Sequence, residues 1–177
     1  MGNVGTPESK LRAFAEAGLH EQVVFVGSGK LGIPENALLA MALGCDMVNV
    51  GRTAMFALGC VQAQRCHTGH CPTGVATQDA QRQKALVVPT KSERVYNFHQ
   101  QTLHALKELV QAAGLNHPGE ISASHIVRRN SEHGVKLLAN LLPYVEPGAL
   151  LTGEMPHQVF RTYWPMAQAG SFGVLRT

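Results

Sequence analysis

Two strand-and-helix units follow one another near the start of the chain, and each strand leads into a glycine loop. Residues 23–26 (VVFV) are a continuous apolar run rich in β-branched residues, typical of a strand buried on both faces in a parallel sheet. A glycine loop (GSGKLG, 27–32) ends this run, and a helix with Pro34 at its start and Gly44 after its end is predicted next. A second strand in CDMVNVG, a second glycine loop (NVGRT, 49–53) and a short helix repeat the pattern. This βαβα order predicts parallel strands joined by right-handed crossovers.

Two strands are too few to form a stable α/β domain by themselves. The sequence therefore leaves two alternatives. Either the fold is mostly helical with a small sheet, or the chain is the C-terminal part of a larger α/β fold.

The second half of the chain is predicted to be helical. Thr90 and Glu93 have the spacing of a capping box, and apolar residues then recur every three or four positions as far as Gly114. This pattern predicts an amphipathic helix of about six turns. Shorter helices, and no further strand, are predicted at 122–129, 131–142 and 155–169.

Composition excludes several classes of protein. The chain has 177 residues, of which 45% are hydrophobic and 15% charged, and this is typical of a globular protein. The net charge of +3 comes without a Lys/Arg block, which argues against a nucleic-acid-binding role. No apolar run approaches the roughly 20 residues that span a bilayer, and the N-terminus lacks the apolar segment of a signal peptide. We expect a cytoplasmic protein, in which clustered cysteines bind metal or do redox chemistry more often than they form disulfides.

The two glycine loops are candidates for a phosphate site. Glycine lets the backbone approach an anion, and backbone N–H groups and a helix dipole then face it. Two such loops on neighbouring strands could hold one phosphate between them, as the loops after the seventh and eighth strands of (β/α)8 barrels often do. Arg52 could supply a fork of donors, and Lys30 a second cation. The alternative is that the glycines serve turn geometry alone and that Lys30 is only solvated.

A cysteine loop, residues 60–79 (CVQAQRCHTGHCPTGVATQD), carries Cys60, Cys66 and Cys71. Three thiolates need a fourth ligand to close a tetrahedral zinc site, and His67 or His70 could provide it. An iron–sulfur cluster with three irons is the other reading, since clusters favour thiolates arranged along a loop. The remaining cysteine is read as a small buried hydrophobe because it stands among apolar residues at a strand start. This residue is Cys45.

The stretch ALGCVQAQRCHTGHCPTGVATQD resembles the signature of the FMN-binding synthase domain of glutamate synthase. The resemblance runs from about Val23 to about Gly148, and it includes the helical segment RQKALVVPTKSERVYNFHQQTLHALKELVQAAGL. The resemblance is closest to the short FMN-binding members of the family that lack an amidotransferase domain. The resemblance implies a (β/α)8 barrel that carries FMN and a [3Fe–4S] cluster.

The resemblance also implies roles for particular residues. The glycine loops match the seventh and eighth βα loops of the family, which contact the FMN phosphate. The candidate cofactor-binding residues are accordingly Gly27, Ser28, Gly29, Lys30, Gly51 and Arg52. The candidate cluster ligands are Cys60, Cys66 and Cys71. The implied reaction is the synthesis of L-glutamate from 2-oxoglutarate and ammonia, with electrons passing through the cluster to FMN.

This sequence departs from the family in length. A barrel of this kind needs about 250 residues, and only its last two βα units are visible here, preceded by one predicted helix at PESKLRAFAEAGL (7–19). We therefore divide the chain into a C-terminal barrel portion with the cysteine loop (1–80) and a helical extension of the same domain (81–177). Gly2 follows Met1, with no Cys nucleophile there, so we expect no glutamine hydrolysis by this chain.

We expect the chain to be inactive alone and to need partners. The expected partners are the missing N-terminal barrel half or a second copy, and an electron-donor subunit or ferredoxin. Two rival functions remain open at this point. One is a small iron–sulfur or Cys3His zinc module without flavin, and the other is a structural half-barrel.

Overall fold

The computed structural model describes residues 13–15, 17–142, 147–153 and 158–171. Its contacts group Phe25–Leu141 into one compact unit. The described residues within Met1–Val24 and Leu142–Thr177 form a second unit. The boundary predicted after residue 80 stays a prediction, because the first unit extends across it.

The first unit begins with the βαβα series that the sequence predicts. Strand β1 (Val26–Ser28) pairs in parallel with β2 (Met47–Asn49), and helix α1 (Pro34–Ala42) connects them. Helix α2 (Gly51–Leu58) follows β2 directly. The order of elements and the parallel pairing are therefore confirmed. Among the described residues the sheet has only these two strands and no barrel closes, so the (β/α)8 barrel stays a prediction.

The burial predicted for the strands is wrong. Val23 and Val24 lie before β1, and the side chain of Val24 is 68% exposed. Within the sheet, Val26 and Met47 are register partners on one face, and their side chains are 59% and 57% exposed. Only the other face is covered. The sequence predicts strands that are buried on both faces, but a two-stranded sheet has no second layer to cover this face.

Glycines end both helices of the series. After α1, Gly44 has a φ of +97° and its N–H donates to the Met41 carbonyl oxygen at 2.8 Å. After α2, Gly59 has a φ of +108° and its N–H donates to the Phe56 oxygen at 2.9 Å. Left-handed residues of this kind satisfy the last carbonyls of a helix, and glycine adopts them without a Cβ penalty.

The long helix is confirmed, but its predicted capping box is wrong. Two helices follow the cysteine loop, the single-turn α3 (Ala80–Gln83) and the long α4 (Val88–Ala112). No side chain caps the start of α4, and Thr90 lies inside its first turn. Pro89 explains the shift, because proline fits the first turn of a helix and moves the start ahead of Thr90.

Gly114 ends α4 as predicted. Its N–H donates to the Gln111 oxygen at 2.9 Å, and that of Leu115 to the Val110 oxygen at 3.1 Å, which is a Schellman motif.

The segment after α4 forms a hairpin in place of two predicted helices. Strands β3 (Val127–Arg129) and β4 (Val135–Leu137) pair antiparallel. Between them the N–H groups of Asn130 and Ser131 donate to the Gly134 oxygen. The helices predicted at 122–129 and 131–142 are therefore wrong, and only short 3-10 turns flank the hairpin. The prediction missed β-branched residues at both strands and a turn closed by glycine.

The core of this unit lies between α1 and α4. Its buried members are Leu38, Ala42, Val110 and Ile121. Helix α2 also packs on α4. The two helices of the βαβα series thus share one long helix as their packing partner.

The second unit contains helix α5 (Gln158–Tyr163), which confirms part of the third short helix predicted from the sequence. Residues 155–157 of that prediction lie outside the described residues. So do residues 7–12 and 16 of the helix read at PESKLRAFAEAGL, of which residues 13–15 are helical. Across the described part of the chain, no helix has the length and apolarity needed to cross a membrane.

The exposed face of the small sheet predicts self-association. Val26 and Met47 present adjacent apolar side chains, and both strands have an open edge. We expect the isolated chain to associate, and Met47→Lys to reduce that association because a charge on an exposed strand face opposes pairing. Light scattering after size-exclusion chromatography measures the mass. Val88→Lys is the control, since Val88 is 67% exposed but lies on α4. A wild-type chain that remains monomeric at high concentration would contradict the prediction.

Candidate cofactor and metal site

The two glycine loops leave the same edge of the sheet. Ser28, the last residue of β1, is the register partner of Asn49, the last residue of β2. Gly29 and Lys30 therefore follow at the same end as Gly51 and Arg52. Ligands of open α/β sheets bind at this carboxyl end of the strands.

Gly32 brings the first glycine loop against α2. A Cβ built on this buried glycine would overlap the hydroxyl oxygen and Cβ of Thr53 and lie 2.8 Å from its Cγ2. The Thr53 hydroxyl donates to the Val50 oxygen at 3.1 Å, so its side chain is fixed against the start of α2. The contact between Gly32 and Thr53 holds the two glycine loops together and requires the absence of a side chain at residue 32.

Backbone groups of both glycine loops are hydrogen-bonded to nearby asparagine side chains. Gly29 and Lys30 have φ values of +106° and +59°, and the Lys30 oxygen accepts a hydrogen bond from Asn36 Nδ2 at 2.9 Å. In the second loop the Gly51 N–H donates to Asn49 Oδ1 at 3.2 Å. The side chains of Lys30 and Arg52 are exposed. Two cations thus lie in the loops that follow the two paired strands.

Gly27 has a packing role in the structure. It lies inside β1, and a Cβ there would come within 2.9 Å of Cys45 Sγ and 3.0 Å of Leu31 Cδ1. Cys45 is buried, as predicted. Burial first, and then the Asp46 carboxylate, raise the pKa of the Cys45 thiol. Gly27 therefore makes room for a buried thiol, while its predicted contact with a phosphate stays a prediction.

The cysteine loop gathers three cysteines around one pocket. Its first residue is anchored to α2, because the Cys60 N–H donates to the Met55 oxygen at 3.0 Å. One pocket is lined by Cys60, Cys66 and Cys71, together with Ala63, Pro72 and neighbouring residues of the loop. Cys71 is buried, Cys60 is half-buried and Cys66 is exposed. Cys45 does not line this pocket.

Two left-handed residues shape the first half of the cysteine loop. Gln62 and Gln64 both have a φ of +55°, a conformation that is uncommon for residues with a Cβ. In the second half of the loop, the Thr77 hydroxyl donates to the Gly69 oxygen. This bond joins the C-terminal part of the loop to its middle. Backbone strain at functional sites persists where the surrounding contacts enforce it.

Cys71 has the environment of a thiolate. Its Sγ lies 3.4 Å from the Thr73 hydroxyl oxygen. The hydrogen bond with the Thr73 hydroxyl, followed by those with the backbone of Ala76, Thr73 and Val75, lowers the pKa of the Cys71 thiol to about 7. Thiolates, and not thiols, bind metals.

The described residues do not assemble a Cys3His zinc site. No three of their His, Cys, Asp and Glu side chains are grouped so that they could hold one metal ion. His67 and His70 are both exposed. Cys60, Cys66 and Cys71 line one pocket, but in the described part of the chain they are not grouped closely enough to hold a single metal ion either.

Comparison with known proteins identifies the class of chain that carries this fold and site. A family described as "Conserved region in glutamate synthase" matches residues 4–116, which is more than half of the chain. The chain therefore belongs to the glutamate synthase family.

Individual relatives agree with this assignment. The glutamate synthase large subunit-like protein YerD of Bacillus subtilis is 42% identical over 125 residues, which are 71% of this chain and 24% of the relative. An archaeal glutamate synthase [NADPH] of Methanocaldococcus jannaschii is 40% identical over 57% of this chain and 20% of its own length. The glutamate synthase [NADPH] large chain of Azospirillum brasilense is 29% identical over 73% of this chain and 9% of its length. The chain thus spans about a quarter or less of these relatives.

Substitution of Gly32 tests how the glycine loops are held together. Gly32→Ala should destabilise the unit by about 1–3 kcal/mol, because the new Cβ overlaps Thr53 and forces the loops apart. Thr53→Ala in the same chain should relieve the overlap only in part, since it removes the hydroxyl and Cγ2 but keeps the Cβ, whereas Thr53→Gly should remove the overlap. Urea unfolding of the single and double variants measures these effects.

Gly51→Ala is the matched control for this series. A Cβ at Gly51 meets only Asn49 Oδ1, at an ordinary 3.6 Å. Equal stability of Gly32→Ala and Gly51→Ala would contradict the proposed contact.

Proposed function

We propose that this chain contributes the phosphate-binding and cluster-binding part of a flavin and iron–sulfur oxidoreductase that makes L-glutamate from 2-oxoglutarate and ammonia. One observation carries the proposal. In a chain of the glutamate synthase family, the three cysteines of the Cys-x5-Cys-x4-Cys pattern line a single pocket, and the fourth cysteine is buried elsewhere.

The donor set of the cysteine loop fits a [3Fe–4S] cluster. Cys60, Cys66 and Cys71 would supply one thiolate each, and all three are free of disulfides. The hydrogen bonds around Cys71 suit a charged sulfur, and such bonds also tune the potentials of iron–sulfur clusters. Free thiols in this number favour a reducing compartment, and we place the protein in the cytoplasm.

The edge of the sheet fits a phosphate group. In the proposed site, the backbones of Gly29 and Gly51 approach the FMN phosphate, which the Gly51 N–H would bind in place of Asn49 Oδ1, while Lys30 and Arg52 neutralise its charge. Ser28 could add a hydroxyl donor, because it ends β1 at the same edge. FMN, when bound, supplies hydride transfer to the 2-imino acid formed from 2-oxoglutarate and ammonia. The task of the residues named here is to hold the cofactor's phosphate and orient it.

Catalytic competence would require groups beyond those assigned here. The residues assigned above hold the phosphate and the cluster, and the flavin ring and 2-oxoglutarate need other contacts. We propose that further βα units supply those contacts and cover the exposed face formed by Val26 and Met47. An electron-donor subunit or a ferredoxin would reduce the cluster. Without these partners, we expect the chain to be inactive.

Reconstitution with iron and sulfide under anaerobic conditions tests the cluster assignment. Cys60→Ser, Cys66→Ser and Cys71→Ser should each lose most of the bound iron and the visible absorbance, because each removes one thiolate ligand. Cys45→Ala should keep both. Bound zinc without sulfide would support the rival metal module. Normal cluster assembly in the three serine variants would refute the ligand assignment.

The phosphate assignment is tested by comparing two flavins. In a protein that also carries the remaining βα units, Arg52→Ala should weaken FMN binding by about 1.5–3 kcal/mol, because a hydrogen bond to a charged group is lost. Riboflavin has no phosphate, so its affinity should change little. Flavin fluorescence titration measures both affinities. An equal loss for FMN and riboflavin, or no loss for either, would show that Arg52 does not bind the phosphate.

A further inference from the structure

Two cations on the long helix α4 lie against the start of the cysteine loop. A Cβ built on Gly59 would be 3.0 Å from Lys91 Nζ and 3.8 Å from Arg94 Nη1. Gly59 ends α2 and immediately precedes Cys60, whose N–H is bonded back to Met55. The charges of Lys91 and Arg94 therefore converge on the residue next to a proposed cluster ligand.

The position of these cations breaks a rule of helix electrostatics. The N-terminus of a helix carries a partial positive charge, so acidic residues are favoured there and cations are not. The first turn of α4 contains no acidic residue, and it contains Lys91, with Arg94 one turn further on the same side. No acidic side chain forms a salt bridge with either cation in the described part of the chain. Features that break a local rule often mark functional sites.

Stabilisation of the C-terminal end of α2 accounts for only part of this arrangement. The last carbonyl groups of α2 carry a partial negative charge, and a cation beside Gly59 stabilises that helix end. One ammonium group at this distance would be enough to do so. Arg94 adds a second charge, and the dipole of α4 adds its positive end in the same place. Positive charge accumulated at this position suits a redox centre that gains negative charge when it is reduced.

We propose that Lys91 and Arg94 set the reduction potential of the iron–sulfur cluster at Cys60 by stabilising its reduced form. The inference rests on the proposed function of the cysteine loop. Reduction adds one electron to the cluster and forms or breaks no bond, so the cluster gains one negative charge. Nearby positive charges favour that state by Coulomb attraction. Lys91 and Arg94 act through this field and touch no reacting atom.

The test measures the midpoint potential of the reconstituted full chain by dye-mediated titration with dithionite. Lys91→Gln should lower the ratio of reduced to oxidised cluster at a fixed potential by about threefold to tenfold, where tenfold corresponds to about 59 mV for a one-electron couple. The double variant with Arg94→Gln should fall further, and Lys91→Arg should keep the wild-type value. Lys107→Gln is the control, because Lys107 lies about 24 Å along α4 from Lys91.

The outcomes separate a role in the potential from a structural role and from failure of the proposed function. A loss of thermal stability in Lys91→Gln with an unchanged potential would overturn the inference and leave the cluster assignment intact. A wild-type chain that assembles no cluster would overturn both. If the Gln variants do not fold, added salt offers a second measurement on the wild type. Screening should lower its potential, and a potential independent of salt would overturn the inference.

Discussion

The parallel pairing of β1 with β2 in one register is the constraint on which the candidate site depends. Because Ser28 lies opposite Asn49, the glycine loops leave the sheet side by side. A slip by one residue would exchange the two faces of the sheet and move every side chain of one strand. The contact of Gly32 with Thr53 reinforces the pairing, because it packs the first glycine loop against α2, the helix that begins in the second glycine loop. The pairing and this contact together bring Lys30 and Arg52 to the same edge of the sheet.

Local chemistry made the order of elements predictable, but not their ends. Gly44 and Gly114 mark helix ends because a left-handed residue is required there, whatever packs nearby. The strand ends depend on neighbours, and Val24 is exposed although its sequence context is that of a buried strand. The start of α4 was decided by competition between two local signals, and the proline prevailed over the capping box. The sequence does not predict the hairpin, because strands of three residues are too short to show the alternation of apolar and polar residues.

The site also combines features that the sequence reveals with contacts that only the packing of separate elements creates. Spacing along the chain separated Cys60, Cys66 and Cys71 from Cys45, and the structure places the three around one pocket. Sequence alone could not reveal that Gly32 contacts Thr53 or that Lys91 reaches Gly59. Those pairs are 21 and 32 residues apart, and they meet only through the packing of separate elements. A glycine pattern such as GSGKLG marks loops of this kind without telling which glycine serves packing and which serves a ligand.

Helix α2 links the two halves of the proposed site. It begins at Gly51 in the second glycine loop and ends at Leu58, two residues before Cys60. Eight residues of α-helix span about 12 Å, and this span packs on α4. Adding or removing one residue would turn the cysteine loop by about 100° around the helix axis, because a turn contains about 3.6 residues. The length of α2 therefore fixes both the distance and the direction from the candidate phosphate loops to the cysteines. The proposed electron transfer between cluster and flavin would require such a fixed relation, and one short helix would provide it.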